Sequence, residues 1–367
     1  MSVAWSVRGQ FGHAPGAMIP GVIAAAAVAL MAPDVRWHRA FGWSLMFSMI
    51  GFAIGGHLGY QDAIAEILAR PTLRDALPGL GHIFGLGAVW GGLGLTALGV
   101  GLSEHPLRFR ELALCAAIAA GWFVALRLYH REAAAIVFFG AGLAALHCYN
   151  ALVFRSQSVT LFGLAGVLGF GGGFVFAVLL LYGGSRGWFG HWAWWNFRDQ
   201  WIGAIGGLAT AWAASAVRRR ELVPHHTHLS RLSHVAGLVY FLIGVPAVET
   251  LNILISWAEE RPVPVHIQQA FLAALAVCWL VAAVWICRSA CHPLTDHRAW
   301  KVVRAATIAF LWLISALAIA KETIPIGWHR WEPAFTMDVI CSLLVTIVLV
   351  VPQATPIALR AAHDQRI

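Results

Sequence analysis

The stretch FGLAGVLGFGGGFVFAVLLLYGG, residues 162–184, contains no charged side chain. A run of about 20 apolar residues crosses the roughly 30 Å hydrocarbon core of a bilayer as an α-helix. Lipid offers no partner to backbone N–H and C=O groups, so a spanning segment satisfies them within a helix or in a closed barrel. Because the run is continuous and rich in Ala, Leu and Gly, rather than alternating over about ten residues, it predicts a helix.

Comparable apolar runs recur along the whole chain, which is 59% hydrophobic and 11% charged. A soluble domain carries roughly 25% charged residues, so most of this surface is expected to face lipid. The composition predicts an all-α transmembrane bundle of about eleven spans that forms a single integral membrane domain, residues 1–367. The predicted spans are residues 18–32, 40–59, 81–102, 111–128, 133–153, 159–182, 201–217, 231–257, 267–287, 302–320 and 334–352.

The distribution of positive charge predicts an orientation. With eleven spans, 15 of the 25 Lys and Arg residues fall on one side of the membrane and 10 on the other. By the positive-inside rule the richer side is cytoplasmic, which puts the N-terminus outside and the C-terminus inside a bacterial cytoplasmic membrane. The net charge of +8 is explained by arginines beside the helices, which attract anionic headgroups. The bilayer, rather than nucleic acid, is the expected partner.

Two parts of the chain look alike and predict a parallel internal repeat, residues 40–102 and 159–220. Each has a glycine-rich helix, an outside connection and a second helix with closely spaced glycines. Parallel repeats occur in transporters, whereas small residues also recur wherever helices pack closely in lipid. Either explanation predicts that the helices pack tightly at the following glycines: Gly87, Gly91, Gly92, Gly203 and Gly207.

Ionisable residues inside apolar runs are candidates for function because a charge in hydrocarbon is costly unless it is paired or hydrated. Glu249 is the clearest example, in YFLIGVPAVETLNILISW (240–257), shortly after Pro246, which should kink the helix. Asn252 lies about one turn further on. Glu249 and Asn252 are therefore predicted to be buried polar residues, with Glu249 as a proton carrier. Asp338 lies nearer a helix end and is expected to be hydrated.

Histidines near the ends of predicted helices form two candidate pairs of haem ligands. The outer pair is His57 with His82, and the inner pair is His147 with His234. Opposed imidazoles from two helices ligate haem iron in helical bundles. The alternative is that each ring simply lies at the membrane interface, which suits an amphipathic side chain.

Two other groups have some of the character of metal ligands. One is the histidine cluster at 225–228, in a basic loop without a neighbouring carboxylate or thiolate. The other is the spacing of Cys287 and Cys291, a single pair near a helix end. Neither has the ligand number of a structural metal site, so no metal ion is predicted.

Five tryptophans are concentrated in SRGWFGHWAWWNFRDQW, residues 185–201, which form a predicted outside connection. Tryptophan is enriched at membrane interfaces, and that alone explains some of them. A porphyrin also stacks on indole faces, and an arginine pairs with a propionate. Trp192, Trp195, Arg198 and Trp201 are therefore predicted to form a haem-binding surface.

The same segment resembles the haem-handling proteins of cytochrome c maturation. Their external motif runs G-x-x-W-x-W-D-P-[KR]-x-T-W, and Gly190, Trp195, Arg198 and Trp201 occupy matching positions. The segment departs from the motif with Ala193 at the first tryptophan position, Asn-Phe in place of Asp-Pro and Gln200 in place of Thr. The resemblance covers residues 190–201 and implies that these tryptophans cradle haem.

These features predict an integral membrane protein that handles haem or uses b-type haem for electron transfer. One alternative is a proton-coupled secondary transporter, which the repeats and Glu249 favour. Another is a non-catalytic subunit associated with other membrane proteins. A transferase acting on a lipid or glycan is a further alternative, with Asp199 and His191 as its nearest acid–base pair. The sequence does not decide whether the protein is an enzyme.

Overall fold

Helix is the only secondary structure in the residues that the computed structural model describes. Those residues are 1–12, 14–32, 35–106, 110, 113, 117, 132–188, 194–225, 230–259, 262–290, 296–326 and 333–350. An all-α fold, as predicted from the composition, is confirmed for this part of the chain.

The α-helices are, in chain order, α1 Ser2–Gln10, α2 Ala14–Met31, α3 Val35–Arg39, α4 Phe41–Gly56, α5 Gln61–Ala69, α6 Leu73–Gly101, α7 Glu132–Tyr149, α8 Gln157–Ser185, α9 Trp194–Arg219, α10 Ser230–Val239, α11 Val245–Glu259, α12 Val265–Ala290, α13 Asp296–Ile326 and α14 Pro333–Val350. Two π-helical turns interrupt this pattern. Asn150–Phe154 continues α7, and Tyr240–Gly244 joins α10 to α11.

Six helical segments in the described residues are long and apolar enough to cross a membrane: Leu73–Gly101, Ile136–Phe154, Gln157–Ser185, Val235–Glu259, Val265–Ser289 and Trp300–Pro325. The number rises to seven if α4 and α5, which are bent by 48°, count as one span. Side chains on α12, such as Val277 and Leu280, are exposed, as expected where lipid is the solvent.

The described residues thus contain fewer clear spans than the eleven predicted. The predicted span 111–128 lies outside the residues described as a continuous segment. The predicted spans 18–32 and 334–352 fall on shorter apolar helices, Gly16–Met31 and Asp338–Val350. Residues 201–217 fall on α9, which is not one of the six candidate segments. Helix length and composition therefore support a membrane protein without fixing the number of crossings.

Glycines bring the backbones of α6 and α8 into contact. A Cβ added at Gly166 would collide with the backbone of Gly91, and one at Gly87 would lie 2.6 Å from the carbonyl oxygen of Phe170. Association in lipid depends on such packing because lipid tails are as apolar as the helix surface. The predicted tight packing is confirmed, since an added Cβ would come within 3 Å of another residue at each of Gly87, Gly91, Gly92, Gly203 and Gly207.

The short helix α1 lies inside the bundle, packed against α2, α9, α13 and α14. Its residues from Val3 to Arg8 are all buried. Nine residues of α-helix extend about 14 Å, roughly half the hydrocarbon core, so α1 does not cross it. The sequence analysis did not predict this element, because a helix of this length gives no signal in a window of about 19 residues.

Polar caps fix where α8 begins beside the end of α6. The Ser156 hydroxyl accepts from the backbone N–H of Val159 (3.2 Å). The carboxylate of Glu104 accepts from the Ser156 hydroxyl (2.9 Å) and from the backbone N–H of Gln157 (2.5 Å). Burial alone would raise the pKa of Glu104, but its hydrogen bonds, including those from Ser156, Gln157 and Ser158, hold that pKa below its ordinary value. An anionic side chain also suits the positive end of the helix dipole.

The contact between α6 and α8 gives a matched pair of glycine substitutions. Gly166→Ala places a methyl group against the backbone of Gly91, whereas the Cβ position of Gly172, on the same helix, has no neighbour within 4 Å. Overpacking costs about 1–3 kcal/mol, so we expect Gly166→Ala to lower the free energy of unfolding in detergent micelles by at least that amount. Gly172→Ala should leave it unchanged or raise it, because alanine favours helix. Equal effects of the two variants would contradict the close approach of α6 and α8.

Candidate functional site

Arg8 is a buried cation in the centre of the bundle. Helix α1 carries it inward, and its Nη1 atom donates to the hydroxyl of Tyr60 (2.5 Å). The guanidinium carbon lies 4.5 Å from the centroid of the Trp90 ring and 5.2 Å from that of Tyr60. A desolvated cation–π contact contributes about 2 kcal/mol or more, which offsets part of the cost of burying this charge.

Arg198, in the first turns of α9, reaches the same tyrosine. Its Nε and Nη2 atoms lie 2.8 Å and 2.7 Å from Oδ1 of Asp199, and Nη2 donates to the Tyr60 hydroxyl over 3.5 Å. Both Arg198 and Asp199 are buried. The Tyr60 oxygen therefore joins two guanidiniums, one from α1 and one from α9.

Asp338 adds a second carboxylate to this region. It is buried, it forms a hydrogen bond with Ser6 of α1, and it interacts electrostatically with Asp199. Its Oδ1 atom has no hydrogen-bond partner among the described residues. The expectation that Asp338 is hydrated at a helix end is wrong, because α1 packs beside the start of α14 and covers it. We call Arg8, Tyr60, Arg198, Asp199 and Asp338 the charged cluster.

Glu249 and Asn252 lie on α11, and Asn252 reaches the residue that follows the C-terminal end of α1. Glu249 is fully buried, as predicted, and neither carboxylate oxygen has a partner at close hydrogen-bonding distance among the described residues. Asn252 and Lys321 act on it electrostatically. The amide of Asn252 donates to the carbonyl oxygen of Phe11, which follows α1. Asn252 thus links the predicted pair to the backbone immediately after α1.

The contacts do not bring His57 and His82 together. Gly55 of α4 packs against Trp90 of α6, and Gly51 packs against Gly94, so the antiparallel register places His57 opposite residue 88. His82 lies six residues further along α6, about 9 Å along the helix axis. The first turns of α6 instead pack against α5. His57 is exposed and His82 is half-buried.

His147 is engaged with two other helices. Its Nε2 atom lies 3.1 Å from Oγ1 of Thr96 on α6. Its ring also lies where a Cβ on Gly163 of α8 would be. Its predicted partner, His234, is in α10, and the His234 side chain lies outside the described residues. The His147 ring thus fills the space left by the missing side chain of Gly163.

The tryptophan-rich segment is not wholly a connection, because α9 begins at Trp194. Helical spacing places Trp194 against Gly184 and Trp201 against Phe176, so these two indoles pack on α8. Trp195 is exposed, and its ring centroid lies 4.8 Å from the guanidinium carbon of Arg198. The single aromatic surface that was predicted is therefore divided between two faces of α9. Trp192 and His191 lie outside the described residues.

No group of three or more His, Cys, Asp or Glu side chains able to hold a metal ion occurs in the described part of the chain. His225 follows α9, and its backbone N–H donates to the carbonyl oxygen of Ser103. His226, His228 and Cys291 lie outside the described residues. Cys287 is exposed on α12.

Sequence reasoning missed Arg8 and Tyr60. Arg8 is the one charged residue among the first 30, between Trp5 and a glycine, and that isolation is the signal that could have identified it. Tyr60 follows the apolar run of α4 and resembles an ordinary interfacial tyrosine. Only the fold shows that Arg8 and Arg198 both reach the Tyr60 hydroxyl.

Comparison with known proteins found no matching family model, no similar curated protein and no similar solved structure.

The ion pair of Arg198 and Asp199 can be tested by removing one charge. Asp199→Asn keeps the shape of the side chain but leaves Arg198 without its carboxylate, and breaking a buried pair in this way costs about 3–5 kcal/mol. We expect the free energy of unfolding, measured by SDS titration of mixed micelles, to fall by about 3 kcal/mol.

The matched control is Asp62→Asn on α5, where the side chain is exposed. A surface change of this kind should stay within about 0.5 kcal/mol. Similar values for the two variants would show that Asp199 is hydrated rather than buried beside Arg198.

Proposed function

We propose that the protein is a proton-coupled secondary carrier in a membrane. The observation that carries this proposal is the convergence of ionisable side chains on one short helix inside an otherwise apolar bundle. Four of them, Arg8, Arg198, Asp199 and Asp338, meet at α1, and the fifth, Glu249, interacts with Asn252, which is bonded to the residue after α1. Ionisable residues in the interior of membrane bundles mark substrate pathways and proton relays. Buried charges are costly in an apolar bundle, so their number favours a role in function.

The proposed placement is the bacterial cytoplasmic membrane, with about eleven spans, the N-terminus outside and the C-terminus inside. In that topology Tyr60 follows a helix that runs from the inner to the outer side of the membrane. Arg198 and Asp338 lie near the start of helices that run from the outer to the inner side. Glu249 lies in the second half of an outward-running helix. The charged cluster and Glu249 then belong to the outer half of the bilayer. The antiparallel packing of α4, α6, α8 and α9 supports this common level.

In this proposal Glu249 carries the proton, and α11 transmits its state. The π-helical turn Tyr240–Gly244 and then Pro246 lie immediately before Glu249. π-Helical turns and prolines are points at which helices bend, and π-helical turns often lie at functional sites. Asn252, on the same helix, is bonded to the backbone after α1. A shift of α11 on protonation of Glu249 would therefore move α1, and with it Arg8.

Haem handling is the second candidate, and the exposed Trp195 stacked on Arg198 favours it. An indole face and a guanidinium are the groups that would hold a porphyrin and a propionate. The other residues fit haem poorly, because Arg198 turns inward to Asp199 and His147 is bonded to Thr96. A Soret band in the purified protein would favour haem handling, and a colourless preparation made with ample haem would favour the carrier.

Proton coupling can be measured in proteoliposomes that enclose a pH-sensitive dye, with the membrane potential clamped by valinomycin and potassium. The external solutes are membrane-impermeant probes of three classes: benzenesulfonate and succinate as anions, choline as a cation and glucose as a neutral solute. We expect at least one class to drive a protein-dependent change in internal pH. Glu249→Gln should reduce that change at least tenfold, because the amide has the same shape and does not carry the proton.

The matched control is Glu259→Gln, which alters an exposed carboxylate on the same helix. It should leave the flux unchanged. Solute uptake without a pH change, or a flux that survives Glu249→Gln, would remove the proton role of Glu249. No flux with any of the three classes would contradict the carrier proposal itself.

A further inference from the structure

We propose that the charged cluster binds a small organic anion, a carboxylate with an aromatic or other apolar body, between the guanidiniums of Arg8 and Arg198. This inference rests on the proposed function and deepens it by naming the class of solute. It follows from the charges, the unpaired donor atoms and the walls of the cluster.

Arg8 lacks the partner that a buried cation needs. Among the described residues no carboxylate forms an ion pair with it, and its hydrogen bond goes to the neutral hydroxyl of Tyr60. Its Nε atom is buried without a hydrogen-bond partner. A buried guanidinium in this condition is costly, and a bound anion is the group that would offset the cost.

Arg198, which shares the Tyr60 hydroxyl with Arg8, has a second unpaired donor. Asp199 engages its Nε and Nη2 atoms through one carboxylate oxygen, while Nη1 is buried without a partner. An anion that accepts from Nε of Arg8 and Nη1 of Arg198 therefore leaves the Arg198–Asp199 pair intact. Guanidinium groups favour carboxylates because their parallel N–H donors match the two carboxylate oxygens.

Tyr60 holds the two cations near each other. Its single oxygen lies 2.5 Å from Nη1 of Arg8 and 3.5 Å from Nη2 of Arg198. Asp199 balances the charge of Arg198, so these two guanidiniums and this carboxylate together carry one net positive charge, that of Arg8. Electrostatic attraction is strong in a medium of low dielectric constant, so the arrangement favours a bound negative charge over an unpaired Arg8.

The walls of the cluster suit an apolar body. Trp5 and Trp90 have centroids 5.2 Å apart, and Tyr60 lies 5.4 Å from Phe174 in an edge-on arrangement. These rings are buried and contact one another, so the surroundings of the two arginines are aromatic and apolar, which favours an anion with an apolar body over a hydrated one. The exposed ring of Trp195 lies over the guanidinium of Arg198, 4.8 Å from ring centroid to guanidinium carbon.

The test uses the purified full chain in detergent and benzoate as the probe, with benzamide as its neutral isostere. Binding to the native state raises the unfolding temperature. We expect 10 mM benzoate to raise it by about 2 °C or more, and benzamide to have no effect. The shift should disappear in Arg8→Gln and Arg198→Gln, and it should persist in Arg74→Gln, a control that removes an exposed arginine.

The comparison of benzoate with benzamide in the unmodified protein needs no variant to fold. Equal shifts with both compounds, no shift with benzoate, or a full benzoate shift in Arg8→Gln would overturn the anion site. If benzoate does not bind but a cation or a neutral solute drives proton-coupled flux, the carrier proposal stands and the proposed anion specificity is wrong. A benzoate shift without flux of any solute would leave the site and remove the carrier.

Discussion

The charge of Arg8, deep in an apolar helical bundle, is the constraint on which the other features depend. Neither lipid nor an apolar core solvates a guanidinium, so the protein has to supply the stabilisation. It does so with the hydroxyl of Tyr60 and with the faces of Trp90 and Tyr60. The same hydroxyl also accepts a hydrogen bond from Arg198, which forms an ion pair with Asp199. One buried cation thereby organises a polar centre in a chain with few charges.

Glycine makes the aromatic part of that centre possible. The ring of Trp90 lies against Gly55, where any side chain would collide with it, and its indole N–H donates to the carbonyl oxygen of Phe52 (3.0 Å). This bond and this close contact hold the Trp90 ring beneath Arg8. The close approach of α6 and α8 likewise places Phe174 beside Tyr60. Small residues and buried charges are therefore two parts of one arrangement.

Hydropathy predicted the helices well because long apolar runs have few stable structures in lipid. It also identified Glu249, whose isolation in an apolar run is visible without the fold. It failed for α1, which is too short to give a hydropathy signal, and for Asp338, whose burial depends on a helix distant in sequence. The outer histidine pair was inferred from similar positions at helix ends, but helix register rather than end position determines which side chains meet. The inner pair, His147 with His234, stays a prediction, because the His234 side chain lies outside the described residues. The tryptophan-rich segment was interpreted as a connection, whereas its second half begins a helix. Trp194 and Trp201 pack on α8, and Trp195 is exposed on another face of α9.

A double-mutant cycle between Arg8 and Tyr60 tests the central contact most directly. The free energy of unfolding is measured for the unmodified protein, Arg8→Gln, Tyr60→Phe and the double variant. A hydrogen bond to a buried charged group contributes about 1.5–3 kcal/mol, so the double variant should lose less stability than the two single losses combined, by about that amount. Losses that add to within about 0.5 kcal/mol, as they do for residues that do not touch, would contradict the buried contact between Arg8 and Tyr60.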